Sequence, residues 1–231
     1  MGASLATACA AAGADVALSY SRSLDASTTA ANSVRACGRR AAMFAADLDR
    51  PAACQALVED VVAWAGRIDV LVCLASRYDR VPLDTLTPDD WRAQLAVDLD
   101  ASFHCARAAA AHMRRRRSGH IVLCSDWVAA SGRPRYTGYL PYYVAKAGVV
   151  ALTEALALEL APDQVQVNAI APGPILPAAG TTEQMQAAVI KATPLGHWGG
   201  ADVVTHAVMG LLAQDWITGQ TIRVDGGRHL A

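Results

Sequence analysis

Short apolar runs alternate with longer stretches of helical periodicity along the whole chain. Runs of strand length occur at residues 14–19, 41–46, 70–74, 121–124, 165–170 and 221–224. Two of them, VLVCL at 70–74 and IVLC at 121–124, are apolar at every position, as in a parallel strand covered on both faces. The intervening composition predicts helices over 1–14, 23–37, 51–65, 88–113, 142–160, 181–191 and 202–212. Their ends carry separate signals. Gly38 and Gly66 fall where a helix closes in a left-handed residue, and Pro51 and Pro88 fall in first turns. Thr87 offers a capping hydroxyl, and Asp89 and Asp90 face the positive helix end. Pro172-Gly173-Pro174 breaks the chain sharply after the fifth run. With no repeats or linkers, this alternation predicts a single α/β domain over residues 1–231 with a doubly wound, mostly parallel sheet. Ligands of such sheets bind beyond the strand C-termini, so the residues just after each run are the first candidates for a site.

Composition narrows the class. A chain of 231 residues that is 53% hydrophobic and 18% charged can bury one sizeable core and is not disordered. Twenty-one acids against 20 bases exclude a nucleic-acid partner held by bulk positive charge. No apolar run reaches the roughly 18 residues that span a bilayer, and the greasiest stretch, 147–161, contains Glu154 and Glu159. No membrane partner is expected. The opening residues lack a basic segment before Arg22, which argues against an export signal and for a cytoplasmic location. Six scattered cysteines without a CxxC pair read as reduced thiols, and six histidines without metal-like spacing predict no metal site. The run Arg114–Arg117 reads as cations opposing a helix dipole rather than as a phosphate-binding patch.

The sharpest chemical signal is Tyr142-Tyr143-Val144-Ala145-Lys146. Residues four apart share one helix face, so the Tyr142 phenol and the Lys146 ammonium point to the same side. A tyrosine at its usual pKa of about 10 is a poor acid–base group near neutrality. A neighbouring cation favours the phenolate, which makes the pair a candidate proton-transfer device.

Around that pair the chain is similar to the short-chain dehydrogenase/reductase family over essentially its whole length. The matching pieces stand in the family's order: Asp47-Leu48, Ala75-Ser76, Trp91 with Val97-Asp98-Leu99, Tyr142 with Lys146, NAIAPG at 168–173, and Val224-Asp225-Gly226-Gly227. The resemblance implies a Rossmann-like fold, a nicotinamide cofactor, hydride transfer to or from a small-molecule substrate, and a homo-oligomer (dimer or tetramer). It assigns Tyr142 as the proton donor or acceptor. Lys146 would hold the ribose and lower the Tyr142 pKa. Asp47 and Leu48 would meet the adenine, and Pro172, Gly173 and the Ile175 backbone the carboxamide. Ala75 and Ser76 stand at the family's NNAG turn. Helices 88–113 and 142–160 resemble those through which the family oligomerises, with Ala147, Gly148 and Ala151 permitting close approach, although such residues equally suit packing on the protein's own sheet.

Three departures from the family pattern carry information. The strand at 121–124 places Ser125 one step early and Asp126 on the usual serine site, with a loop to Tyr142 longer than usual. Aspartate there resembles the pteridine and dihydromonapterin reductases, as do Ala75-Ser76, the ending VDGGRHL and the segment Ser19-Tyr20-Ser21-Arg22-Ser23. A protonated Asp126 can serve a C=N nitrogen; alternatively Ser125 serves and Asp126 caps the loop. Asp98 replaces the asparagine that holds a water in the family's proton relay, and an ionised carboxylate accepts only. Finally, Met1-Gly2 matches the end of the family's glycine-rich TGxxxGxG signature. That leaves only Gly2 to represent the phosphate-binding loop, with the first strand missing and the true start expected upstream. The loss of that strand would open a gap of about 10 Å and two raw edges in the sheet.

Segment 19–23 contains no acid to bind a ribose 2′-hydroxyl, and it offers Arg22 with hydroxyls, so NADP(H) is favoured over NAD(H). The leading expectation is an NADPH-dependent reductase acting on a small carbonyl or a dihydropteridine-like C=N. The alternatives are a 3-oxoacyl-thioester (acyl carrier protein) reductase and, if the chain truly starts at Met1, a non-catalytic subunit. Trp127, Tyr136, Tyr139 and Trp198 are candidates to line a flat apolar pocket, and residues 174–194 a substrate lid.

Overall fold

The computed structural model describes residues 1–178 and 180–231. The helices are α1 (Gly2–Ala11), α2 (Leu24–Ala36), α3 (Pro51–Ala65), α4 (Pro88–Leu95), α5 (Ala101–Arg116), α6 (Trp127–Ala130), α7 (Leu140–Leu160), α8 (Glu183–Lys191) and α9 (Ala201–Leu212). The strands are β1 (Val16–Tyr20), β2 (Ala41–Ala45), β3 (Val70–Val72), β4 (Gly119–Cys124), β5 (Val165–Pro172) and β6 (Thr221–Val224). All pairing is parallel, as each strand returns through a helix.

Strand β4 shows why its sequence is apolar throughout. Ile121 and Leu123 pack with α3, α5 and α7 residues such as Val58, Met113 and Val149. Val122 and Cys124 point the other way, to Leu5 of α1 and Val204, Val208 and Leu211 of α9. Both faces are therefore covered, and each fully buried Val or Leu contributes about 1.5–3 kcal/mol. A smaller cluster joins Ala6, Ala10 and Val34 beneath β1 and β2.

Among the described residues the strands form two sheets, β1-β2 and β3-β4-β5-β6. The inner edges of β1 and β3 are unpaired, and Val70 is 38% exposed. This break lies where the resemblance places the family's first strand.

The predicted helix over 88–113 is interrupted by a π-helical turn, Ala96–Asp100. The wider turn carries Asp98 inward, where it is 1% exposed, a packing constraint that a hydrophobic pattern does not show. Helix α7 starts two residues earlier than predicted, with Pro141 in its first turn. Gly148 serves the chain's own packing: an added Cβ would come 2.9 Å from Leu99 in the π turn. At the end of α5, Arg114 pairs with Asp163 at 2.5 Å, and Arg116 donates to the Ile68 carbonyl and pairs with Asp69.

Candidate active site

The C-terminal end of β4 delivers Cys124, Ser125 and Asp126 in succession, and they part at once. Ser125 is 2% exposed, and its hydroxyl donates to the Lys146 carbonyl at 2.8 Å. Asp126 caps α6, accepting from the Val128 N–H at 2.7 Å through Oδ1. Its Oδ2 accepts the Tyr142 hydroxyl at 3.0 Å. Of the two open alternatives, the group facing the tyrosine is thus Asp126.

Burial pushes the Asp126 carboxyl above its ordinary range, against the opposing pull of the Val128 and Tyr142 hydrogen bonds and the Lys146 charge. Burial also pushes the Tyr142 phenol upward, reinforced by the neighbouring Asp126 carboxyl, which accepts its hydrogen bond, and by the Asp98 charge. The net direction at Tyr142 is therefore upward, against the depression expected from Lys146. The amine is engaged elsewhere. Lys146 Nζ lies 2.9 Å from Asp98 Oδ1 and 2.9 Å from the Cys124 carbonyl, and 5.7 Å from the Tyr142 ring centroid. Removing one partner of such a buried pair costs about 3–5 kcal/mol, because the other charge is stranded.

Asp98 is held from three sides. The Ser76 hydroxyl and the Gln94 amide donate to it, as does the Arg77 backbone N–H at 3.0 Å. Gln94, only 3% exposed, also donates to the Arg77 carbonyl at 2.9 Å. The Ser76 hydroxyl, expected at the cofactor, is thus turned to Asp98, while Ala75 stays exposed beside it.

Two site residues escape sequence reading. Gln94 carries no motif. Tyr78 lies just after β3, where ligands of such sheets gather, and that position was its available signal. Its ring stacks on Tyr139 with centroids 4.7 Å apart and meets Tyr142 edge-on at 4.9 Å. Burial raises the Tyr78 phenol as well. A backbone bond from the Val81 N–H to the Gly138 carbonyl, 2.8 Å, ties this loop to the one carrying Tyr136 and Tyr139. Tyr136 meets Tyr139 and Trp127 edge-on, completing an aromatic wall beside Tyr142. Trp198 is not part of that wall; its indole N–H is buried without a partner.

The remaining candidates line the same end of the strands. Ser19, Tyr20, Ser21, Arg22 and Ser23 close β1, and Asp47 and Leu48 follow β2. Among the described residues, no ion pair or side-chain hydrogen bond engages Arg22, Ser19, Ser21 or Ser23. An uncommitted cation with three hydroxyls at a strand end is a donor set that fits a phosphate-bearing dinucleotide. Asp47 lies beside a groove of about 390 Å³ between β2 and α3, whereas the Leu48 side chain packs on the core. Gly2 opens α1, whose first turn has no side-chain cap. Pro172 ends β5, and the Gly173 N–H donates to the Val224 carbonyl at 2.9 Å. Ile175 is buried, and its carbonyl accepts from the Gly200 N–H at 2.9 Å. Among the described residues there is no cluster of His, Cys, Asp or Glu that could hold a metal, and no helix is long and apolar enough to cross a membrane.

Known proteins agree with this architecture. A family described as Enoyl-(Acyl carrier protein) reductase matches residues 1–229. The chain belongs to the short-chain dehydrogenase/reductase family. A 3-oxoacyl-(acyl-carrier-protein) reductase, FabG of Staphylococcus aureus, is 31% identical over 235 residues, covering 100% of this chain and 94% of its own. Acetoin dehydrogenase from Enterobacter cloacae superposes with a TM-score of 0.89 at 32% identity, covering 100% of this chain and 91% of its own. A short-chain dehydrogenase/reductase from Serratia marcescens gives 0.91 at 27% identity, with 99% and 93% covered. Membership in this family makes the chain an oxidoreductase with the Rossmann-like fold.

Proposed function

We propose that this oxidoreductase is an NADPH-dependent reductase of a small carbonyl or a dihydropteridine-like C=N group. The observation that carries the reading is the 3.0 Å contact between Tyr142 and Asp126. A bound nicotinamide dinucleotide supplies the hydride. The chain's own part is the proton: Tyr142 presents its phenol to the substrate heteroatom, and Asp126, whose carboxyl burial pushes above its ordinary range, is placed to return a proton to the phenolate. A carboxyl beside the phenol also matches a ring nitrogen, which accepts a proton as it is reduced. Tyr78, Tyr139 and Tyr136 offer flat apolar faces against which a planar substrate packs. Arg22 with its neighbouring hydroxyls supports the choice of the 2′-phosphorylated dinucleotide. We further read the protein as a cytoplasmic homo-oligomer.

Similarity to FabG favours a second reading, reduction of a 3-oxoacyl thioester. NADPH oxidation measured with dihydrobiopterin, dihydrofolate and an acetoacetyl thioester separates the two. Turnover of the pterins supports the first reading. Turnover of the thioester alone, unchanged in Asp126→Ser, supports the second.

A further inference from the structure

We propose that Asp98 is a positioning residue that withdraws the Lys146 charge from Tyr142, so that the site keeps its tyrosine as a neutral acid and is set for reduction. The inference rests on Tyr142 being the proton-transfer group.

The geometry is closed on every side. Lys146 Nζ has two oxygen partners, Asp98 Oδ1 and the Cys124 carbonyl, each at 2.9 Å, and the side chains of the pair are 2% and 0% exposed. Asp98 cannot swing away from the amine, because Ser76, Gln94 and the Arg77 N–H hold its two oxygens from other directions. The π turn presents Asp98 in that position, and Leu99 against Gly148 locks the turn onto α7. An ammonium paired this closely acts as half of a neutral dipole, and its pull on a phenol beyond it is largely cancelled.

The titratable groups facing Tyr142 come from several packed elements. The π turn brings Asp98, the N-cap of α6 brings Asp126, β4 brings the Cys124 thiol, and α7 itself brings Lys146. The loop after β3 brings the Tyr78 ring against Tyr142, and the loop before α7 brings the Tyr139 ring that stacks on Tyr78. With the Lys146 ammonium drawn to Asp98, burial of the phenol beside the Asp126 carboxyl disfavours a phenolate. Substrate oxidation needs a phenolate to take a proton, whereas reduction needs a phenol to give one. The arrangement serves the second.

Tyrosinate absorbance followed against pH tests this without cofactor or substrate, so its outcome is independent of which reaction the enzyme performs. Subtracting the titration of Tyr142→Phe from that of the parent isolates one of the six tyrosines. In the parent, Tyr142 is expected to ionise above the usual tyrosine value of about 10. In Asp98→Asn the midpoint is expected to fall by about one pH unit or more, as the freed ammonium acts on the phenol. The double variant Asp98→Asn/Lys146→Gln removes both charges and strands neither. Its midpoint should return close to that of the parent, and it decides the matter if the single variant does not fold. A parent midpoint below that of free tyrosine overturns the proposal. So does an unchanged midpoint in folded Asp98→Asn, or a double variant lowered by a pH unit or more.

Discussion

The hydroxyl of Ser125 is bonded to the main-chain carbonyl of Lys146 at 2.8 Å, which pins the end of β4 to α7 one turn beyond Tyr142. The serine thus acts as a buried cross-brace between the two elements that carry the chemistry. Ser125→Ala is expected to cost about 1–3 kcal/mol, since a buried acceptor loses its donor. Turnover should change less than about threefold, far short of the loss that follows removal of a proton-transfer group. Denaturant unfolding and steady-state rates check the two halves. A rate loss of a hundredfold with stability intact would move the catalytic role from Asp126 to Ser125.

Asp126 gives a pH dependence with a definite sign. Its folded-state pKa lies above the ordinary 3.8 because burial disfavours the carboxylate. Between those two values the native chain binds more protons than the unfolded chain, so this group's contribution to stability is present below 3.8 and is lost as pH rises through the folded pKa. Thermal melts of Asp126→Asn should therefore gain on the parent as pH rises across that window. Reduction should also slow in the parent as the carboxyl ionises. In Asp126→Asn that limb should vanish, on a rate lower by about a hundredfold. A parent limb that persists in the variant assigns it to another group.

Much of this was legible in the chain because periodicity and caps are local. The strand at 121–124 and the Thr87-Pro88 helix start were read from a few adjacent residues, and Thr87 does cap Asp90 in a reciprocal capping box. Tyr142 and Lys146 were legible for the same reason, through helical spacing alone. What sequence could not supply was competition between partners. Lys146 was expected to serve a ribose and the Tyr142 phenol, and only folding shows that Asp98 and the Cys124 carbonyl hold it. Likewise Ser125 and Asp126 are adjacent, so both fit one motif, but alternation along an extended segment sends their side chains to different places. Gln94 and the π turn depend on packing between distant segments and leave no periodic trace.

Gly173 is required by a close approach rather than by its backbone angles. A Cβ there would sit 2.6 Å from the Asp225 Cβ and 2.7 Å from its Cα, inside contact distance. Asp225 cannot yield cheaply, because it accepts from the Gly227 and His229 N–H groups and from His229 Nδ1 at 2.7 Å. Gly173→Ala is expected to destabilise the fold by about 1–3 kcal/mol through overpacking and to pull the β5 and β6 ends apart. Urea unfolding gives the cost. A variant as stable as the parent would show that the β6 turn gives way freely.

The unpaired inner edges of β1 and β3 lead to a prediction about added sequence. Each edge presents a row of free amides and carbonyls, and the apolar side chains beside them are only half covered, Val70 being 38% exposed. A chain extended ahead of Met1 by one apolar strand and a glycine-rich turn should pair with both edges and join the two sheets into one. Two or three newly buried aliphatic side chains contribute about 1.5–3 kcal/mol each. At this chain length a kcal/mol moves the melting temperature by about 2–4 °C, so a rise of about 5 °C or more is expected. Hydrogen exchange should slow at Val16–Tyr20 and Val70–Val72 in the same protein. Unchanged melting with unchanged exchange at both strands would mean that the edges do not accept a parallel partner.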